Sequence, residues 1–144
     1  MNEVNRKQFN HLKIHTQYSI CEGALKTSEL AKHCKVNKIK AIGLCDTNNL
    51  CGALEFSETI AKSKTQPIIG TQINFKYKNH IGKIPLFAKN LEGYKNLVNL
   101  SSKSFLEIKE GDSPHCKIED LEKNSNGLGR PDQRFTWSRW GQLG

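Results

Sequence analysis

The chain has 144 residues, 36% of them hydrophobic, with a formal net charge of +8 and a pI near 9.3. That length suits one modest domain with a real core. The mean hydropathy of −0.61, with no apolar run near the roughly 18 residues a membrane span needs, excludes a membrane-spanning chain, and the N-terminal MNEVNRKQFN has no apolar signal region, so secretion is not expected.

The cysteines at 21, 34, 45, 51 and 116 are odd in number and form no C-x-x-C, which argues against a disulfide framework or structural zinc and for a reducing cytoplasm. The basic excess is mostly lysine, spread over Lys32, Lys35, Lys38, Lys40, Lys62, Lys64, Lys76 and Lys78. Lysine scattered in this way reads first as a solvated surface and second as a nucleic-acid footprint.

In chain order, FNHLKIH (9–15) alternates as a half-buried strand. Thr27-Ser28 are the expected cap of a helix SELAKHC, with Leu30, Ala31 and Cys34 at helical spacing. AIGLCD (41–46) is a short continuous apolar run ending in a carboxylate, as a buried parallel strand reads. LCGALEFSETIAKSK (50–64) is helical. PIIGTQINF (67–75) is a strand interrupted at Gly70, and KIPLFAK (83–89) is another. LEGYKNLVNLSSKSF (91–105) is an amphipathic helix with Leu91, Tyr94, Leu97, Val98 and Phe105 expected on its buried face. GDSPHCKIEDLEKN (111–124) reads as a turn and a short helix.

Alternating strands and helices predict an α/β fold with parallel strands and right-handed crossovers, as an open sheet or a barrel. Sites in either lie at the C-terminal ends of strands, and His15, Asp46 and Gln72 are expected at or near such positions. Several other candidates reduce to structural roles. Cys45-x5-Cys51 has no cationic flank and reads as inert thiols. Gly52 and Gly70 belong to no phosphate-loop pattern. Tyr18-Ser19 has no identifiable base and reads as a turn, and His11 reads as a strand residue.

The last sixteen residues, GRPDQRFTWSRWGQLG, hold both tryptophans, three of the four arginines and no lysine. The shift in composition divides the chain into 1–128 and an atypical tail, 129–144, read as a frameshift or junction artefact.

HLKIHTQYSICEGA, then AIGLCDTNNLCGALEF, PIIGTQINF and LFAKNLEGYKNLVNLSSKSF form a specific series in order and spacing. From about residue 8 to 128 it resembles the N-terminal PHP (polymerase and histidinol phosphatase) domain of bacterial DNA polymerase III alpha subunits. The resemblance implies the first part of a PHP-type distorted βα barrel, incomplete in this chain. Metal-bearing PHP domains hold divalent ions on His, Asp and Glu, which make a bound water nucleophilic for phosphoester hydrolysis.

Matched one by one, the opening H-x-H-T falls on Lys13-Ile14-His15-Thr16, so the first ligand is lysine. A D-G turn falls on Glu22-Gly23. T-D-H-G-N falls on Cys45-Asp46-Thr47-Asn48-Asn49, which keeps Asp46 but replaces a histidine by Thr47. A strand glutamate falls on Gln72, and a later histidine falls near Lys83.

Lys13, His15, Glu22, Asp46, Thr47, Gln72 and Lys83 are therefore expected to be a vestigial site, with no metal, no cofactor and no catalytic residue in this segment. Two of the replacements are cationic and would repel a metal ion. His15 is expected to hydrogen-bond a neighbour such as Asp46. The implied role is architectural: an N-terminal fragment of a replicative DNA-directed DNA polymerase, docking the proofreading exonuclease and other holoenzyme subunits. The parent would hold Mg in its palm, contact DNA and reside in the cytoplasm without membrane association. The alternative is a standalone, metal-dependent, histidinol-phosphatase-like phosphoesterase, with a DNA-binding fragment as a third reading.

Overall fold

The computed structural model describes residues 9–130. Helix α1 (Thr27–Val36) leads to strand β1 (Ala41–Thr47), helix α2 (Ala53–Lys62) and strand β2 (Gln66–Tyr77). Strand β3 (His80–Ala88), helix α3 (Leu91–Leu106), strand β4 (Cys116–Lys117), helix α4 (Ile118–Lys123) and strand β5 (Leu128–Gly129) follow. The expected α/β class holds.

The strands form one sheet in the order β1-β2-β3-β5, with β4 also on β2. β1 lies parallel to β2, from Ala41 beside Gln66 to Thr47 beside Gln72. β4 continues along β2 beyond the end of β1, pairing Cys116 with Phe75 and Lys117 with Lys76, again parallel.

The expectation of parallel strands fails at β2 and β3. They form an antiparallel hairpin from Gly70–Phe87 to Tyr77–His80, closed by the two residues Lys78-Asn79, with Lys78 at φ 53. A two-residue connection is too short for a crossover and permits only antiparallel pairing. Gly70 does not interrupt β2. A Cβ there would press into the Phe87 ring and the Leu86 carbonyl, so glycine lets β3 approach closely.

The segment expected as a strand at 9–15 forms no regular strand and bridges β1 only at Ile14–Leu44. Hydrogen bonds from Gly43 N to His11 O and from Cys45 N to Ile14 O hold it there, both at 2.8 Å.

Two helix details also differ from expectation. Lys26, with no side-chain cap, precedes α1, and Thr27 is its buried first residue. Thr27 and Ser28 thus do not cap the helix. In α3 the buried positions are Gly93, Leu97, Leu100 and Ser104, whereas Leu91, Tyr94, Val98 and Phe105 are exposed. The apolar residues of α3 therefore form two stripes, and the sheet takes only one. Asn90 caps α3 by accepting from Gly93 N at 2.9 Å. A Cβ on Gly93 would strike the Gly127 carbonyl, so the start of α3 and the turn before β5 meet backbone to backbone.

Burial is organised in layers. Leu30 and Cys34 of α1 and Phe56 and Ile60 of α2 pack with Ile42 and Leu44 of β1. Alternate β1 residues Ala41 and Cys45 join Ile68 and Phe87 in a separate cluster, as the period of two requires. Leu97 and Leu100 cover Ile73 and Leu86. Ile84, Leu86, Leu121 and Leu128 line an apolar hollow of about 420 Å³ beside β5. No helix among the described residues is long and apolar enough to cross a membrane.

Candidate functional site

The C-terminal end of β1, with the stretch of β2 beside it, gathers most of the expected site. Asp46 is fully buried, the last core position of β1. Its Oδ1 accepts from Thr16 N at 2.6 Å and from Ser19 Oγ at 2.7 Å, and its Oδ2 accepts from Thr16 Oγ1 at 2.7 Å. Three donors from one turn thus converge on one carboxylate. Charge-assisted bonds of this kind are short and strong, and they replace the water lost on burial.

Ser19 links this cluster to its surroundings. Its single hydroxyl proton goes to Asp46, while its oxygen accepts from Thr47 N at 3.1 Å. His15 Nδ1 lies 3.3 Å from the same oxygen. With the hydroxyl proton already committed, His15 Nδ1 must be the donor there, which fixes where that ring carries a proton. His15 therefore bonds Ser19, not Asp46 as expected.

Glu22 sits outside this shell. It accepts from Thr47 Oγ1, lies 3.8 Å from His15 Nδ1, and has Lys83 Nζ 3.8 Å from its other oxygen. The Thr47 hydrogen bond holds the Glu22 carboxyl below the usual range, opposed by partial desolvation and assisted by the charges of Lys83, His15 and Lys13. Lys13 is exposed and reaches Glu22 only through its field. Gln72 is buried in the middle of β2, beside Thr47 at the end of β1, not at a strand end as expected, and its Oε1 has no hydrogen-bond partner among the described residues.

Sequence reasoning missed Thr16 and Ser19. Thr16 closes the H-x-H-T match, but its role needs a partner thirty positions away. Ser19 read as a turn residue and gave no other signal.

Of the remaining candidates, Cys45 and Tyr18 are placed against nucleophilic chemistry, as is Cys116, while Cys51 is exposed. Cys45 is buried and its thiol is pushed up to about 12, chiefly by burial. Burial likewise raises Cys116 to about 11, and its thiol donates to Leu100 O. The Tyr18 hydroxyl donates to Glu55, and that bond raises its pKa, the reverse of what a nucleophile needs.

Comparison with known proteins adds three findings. Residues 11–130 match the PHP domain family. DNA polymerase III subunit alpha of Rickettsia conorii is 40% identical over 124 residues, 85% of this chain and 10% of that protein. The same subunit of Borreliella burgdorferi is 38% identical over 134 residues, and that of Helicobacter pylori 38% over 109. This chain spans about a tenth of the length of these curated relatives. A crystal structure from Bifidobacterium adolescentis, named for a metal-dependent phosphoesterase, aligns with TM-score 0.53 at 14% identity, over 66% of this chain and 32% of the other. At that identity the likeness concerns the fold alone.

Proposed function

The chain belongs to the PHP domain family, and from that premise we propose that it is the N-terminal part of a DNA polymerase III alpha subunit whose metal site is lost. Its sheet and helices are the first part of the family's distorted βα barrel, incomplete in this chain. DNA-templated DNA synthesis, using Mg in a palm, belongs in this reading to the longer parent. The segment itself is catalytically inactive and works as scaffold and docking surface in the cytoplasm.

The observation that carries the reading is the closure of Asp46. A metal ligand must offer a lone pair to the ion, and three of the roughly four lone-pair sites of the Asp46 carboxylate are taken by donors of its own chain, two on Oδ1 and one on Oδ2. The Thr47 hydroxyl is committed to Glu22, and Lys83 places a cation beside that carboxylate. Among the described residues no three His, Cys, Asp or Glu side chains gather to hold an ion. His15 and the neutral Gln72 amide do not make up the deficit. This donor set does not fit the family's metal cluster.

Elemental analysis of the purified chain, paired with a phosphoester hydrolysis assay, tests this. The expected result is no stoichiometric zinc or manganese and no hydrolysis. Bound metal accompanied by hydrolysis would establish the phosphoesterase reading instead.

The docking role is supported by the exposed stripe of α3, Leu91, Tyr94, Val98 and Phe105, which leaves apolar surface for a partner. We assign it to the proofreading exonuclease subunit. Capture of that subunit should be lost in Val98→Asp/Phe105→Asp, and capture unchanged by that double substitution would remove α3 from the interface. The change of composition after residue 128 is proposed to mark a junction. The family match runs to residue 130 and β5 covers Leu128–Gly129, while residues 131–144 lie outside the described residues. Sequencing the locus and translating all three frames past codon 128 decides that point.

A further inference from the structure

Five of the eight lysines that look scattered along the sequence come together in space. Lys35, Lys38, Lys40, Lys62 and Lys64 surround a single cleft of about 510 Å³. It lies where α1 and α2 end and β1 and β2 begin, opposite the Asp46 end of the same strands. Two turns build it. Asn37 and Ser63 end the two helices, and Lys38 and Lys64 follow at φ 51 and φ 60. The turns are tied together by Gln66 N donating to Lys40 O and by Thr65 Oγ1 donating to Ile39 O, both at 2.8 Å. The parallel register Ala41–Gln66 then sets the two sets of lysines side by side.

Lysines near helix C-termini commonly answer the helix dipole, and that accounts for Lys35 and Lys62. It does not account for Lys38, Lys40 and Lys64, which lie beyond the helices. Lys38 and Lys64 hold the left-handed position at which glycine is the least strained residue. No carboxylate lines the cleft, and among the described residues none is paired with Lys35, Lys40, Lys62 or Lys64.

We infer that this cleft is a docking surface for the phosphate backbone of duplex DNA, bound without regard to sequence. Charge complementarity selects a polyanion. The lining has no arginine, so the forked recognition of carboxylates on an acidic protein is absent. It has no aromatic side chain, so there is no platform for the stacked bases of a single strand. A concave cleft lined by five lysines with Ile39 and Ser63 suits a ridge of phosphates better than a flat lipid surface. The inference stands on the cleft alone and does not depend on the polymerase reading.

Fluorescence anisotropy of the full chain with a labelled short duplex of mixed sequence, across a salt series, tests it. The decisive variant is Lys38→Gly/Lys64→Gly, because glycine accepts both backbone positions and thermal melting verifies the fold. Its expected slope of log affinity against log salt is shallower by about 2, with affinity at low salt down about tenfold. Lys78→Gly/Lys95→Gln removes the same charge elsewhere and should leave binding near the parent value. Should the first variant fail to melt cooperatively, Lys35→Gln/Lys62→Gln takes its place with the same expectation. Equal losses in cleft and control variants would overturn the inference, as would absence of duplex binding at low salt. Anionic vesicles bound through these lysines while duplex DNA is not would overturn it as well.

Discussion

The two ends of the β1–β2 pair handle charge in opposite ways. At the C-terminal end, the buried Asp46 carboxylate is enclosed by donors of its own chain, and Glu22 is hydrogen-bonded and ion-paired around it. At the N-terminal end, five lysines face one cleft that holds no carboxylate. Position on the barrel would assign function to the first end, because strand C-termini are where such folds carry chemistry. Hydrogen-bond occupancy reverses that assignment. The Asp46 carboxylate spends most of its hydrogen-bonding capacity on its own chain, whereas Lys35, Lys40, Lys62 and Lys64 gather around a cleft that no carboxylate lines.

The largest effect expected from this contrast is at Asp46. Asp46→Ala strands the Thr16 and Ser19 donors in a dry site and should lower unfolding free energy by roughly 3–5 kcal/mol in urea denaturation. Asp46→Asn keeps an acceptor for Thr16 N and should cost about 1–2 kcal/mol. If Asp46→Ala were neutral, the cluster would not be a structural closure. Thr16→Val, which deletes one donor to Asp46, should cost about 1–2 kcal/mol by the same measurement.

The lysine end should respond with the opposite sign. Lys38→Gly and Lys64→Gly relieve a left-handed backbone and should each raise stability by about 1 kcal/mol in the same denaturation. Loss of stability would mean that those side chains make contacts outweighing the strain.

The smallest effect is at Glu22. Its folded pKa lies below its unfolded value, so its contribution is present above the ordinary carboxylate range and is lost as pH falls through the folded value. Lys83→Gln should move the Glu22 titration upward, as read by carbon NMR, and narrow that acid-side loss. An unmoved titration would remove Lys83 as a cause and leave the Thr47 hydrogen bond with the charges of His15 and Lys13.

Much of this fold is legible from short range. The apolar run of β1 and the spacing of Leu30, Ala31 and Cys34 on α1 need only local periodicity. The β2–β3 hairpin was legible in principle, but Lys78-Asn79 lacks the Asn-Gly or Asp-Gly signal that marks two-residue turns. On α3, two apolar stripes compete and the sequence cannot say which one the sheet takes, so Tyr94 and Val98 were placed inside when they lie outside. The candidate site was half legible. Matched motifs located Asp46, Glu22 and Lys83 near one another. The roles of Thr16 and Ser19 depend on a contact across thirty residues that no periodicity encodes. The lysine cleft was not legible at all, because it exists only once the parallel register sets residue 41 beside residue 66.

The central place of β2 also bears on the order in which the sheet assembles. The hairpin to β3 closes across two residues, so its entropic cost of closure is the smallest of any pairing β2 makes. The parallel pairing to β1 must bring together residues separated by α2, and the pairing of Phe75 with Cys116 closes a loop of roughly forty residues. A chain emerging from the ribosome presents β1 and α2 first, completes β2, and then supplies β3 within a few residues. The β4 and β5 segments arrive last, β4 beside β2 and β5 beside β3, so synthesis delivers the strands in an order that leaves the two longest closures, each of roughly forty residues, to a template already in place.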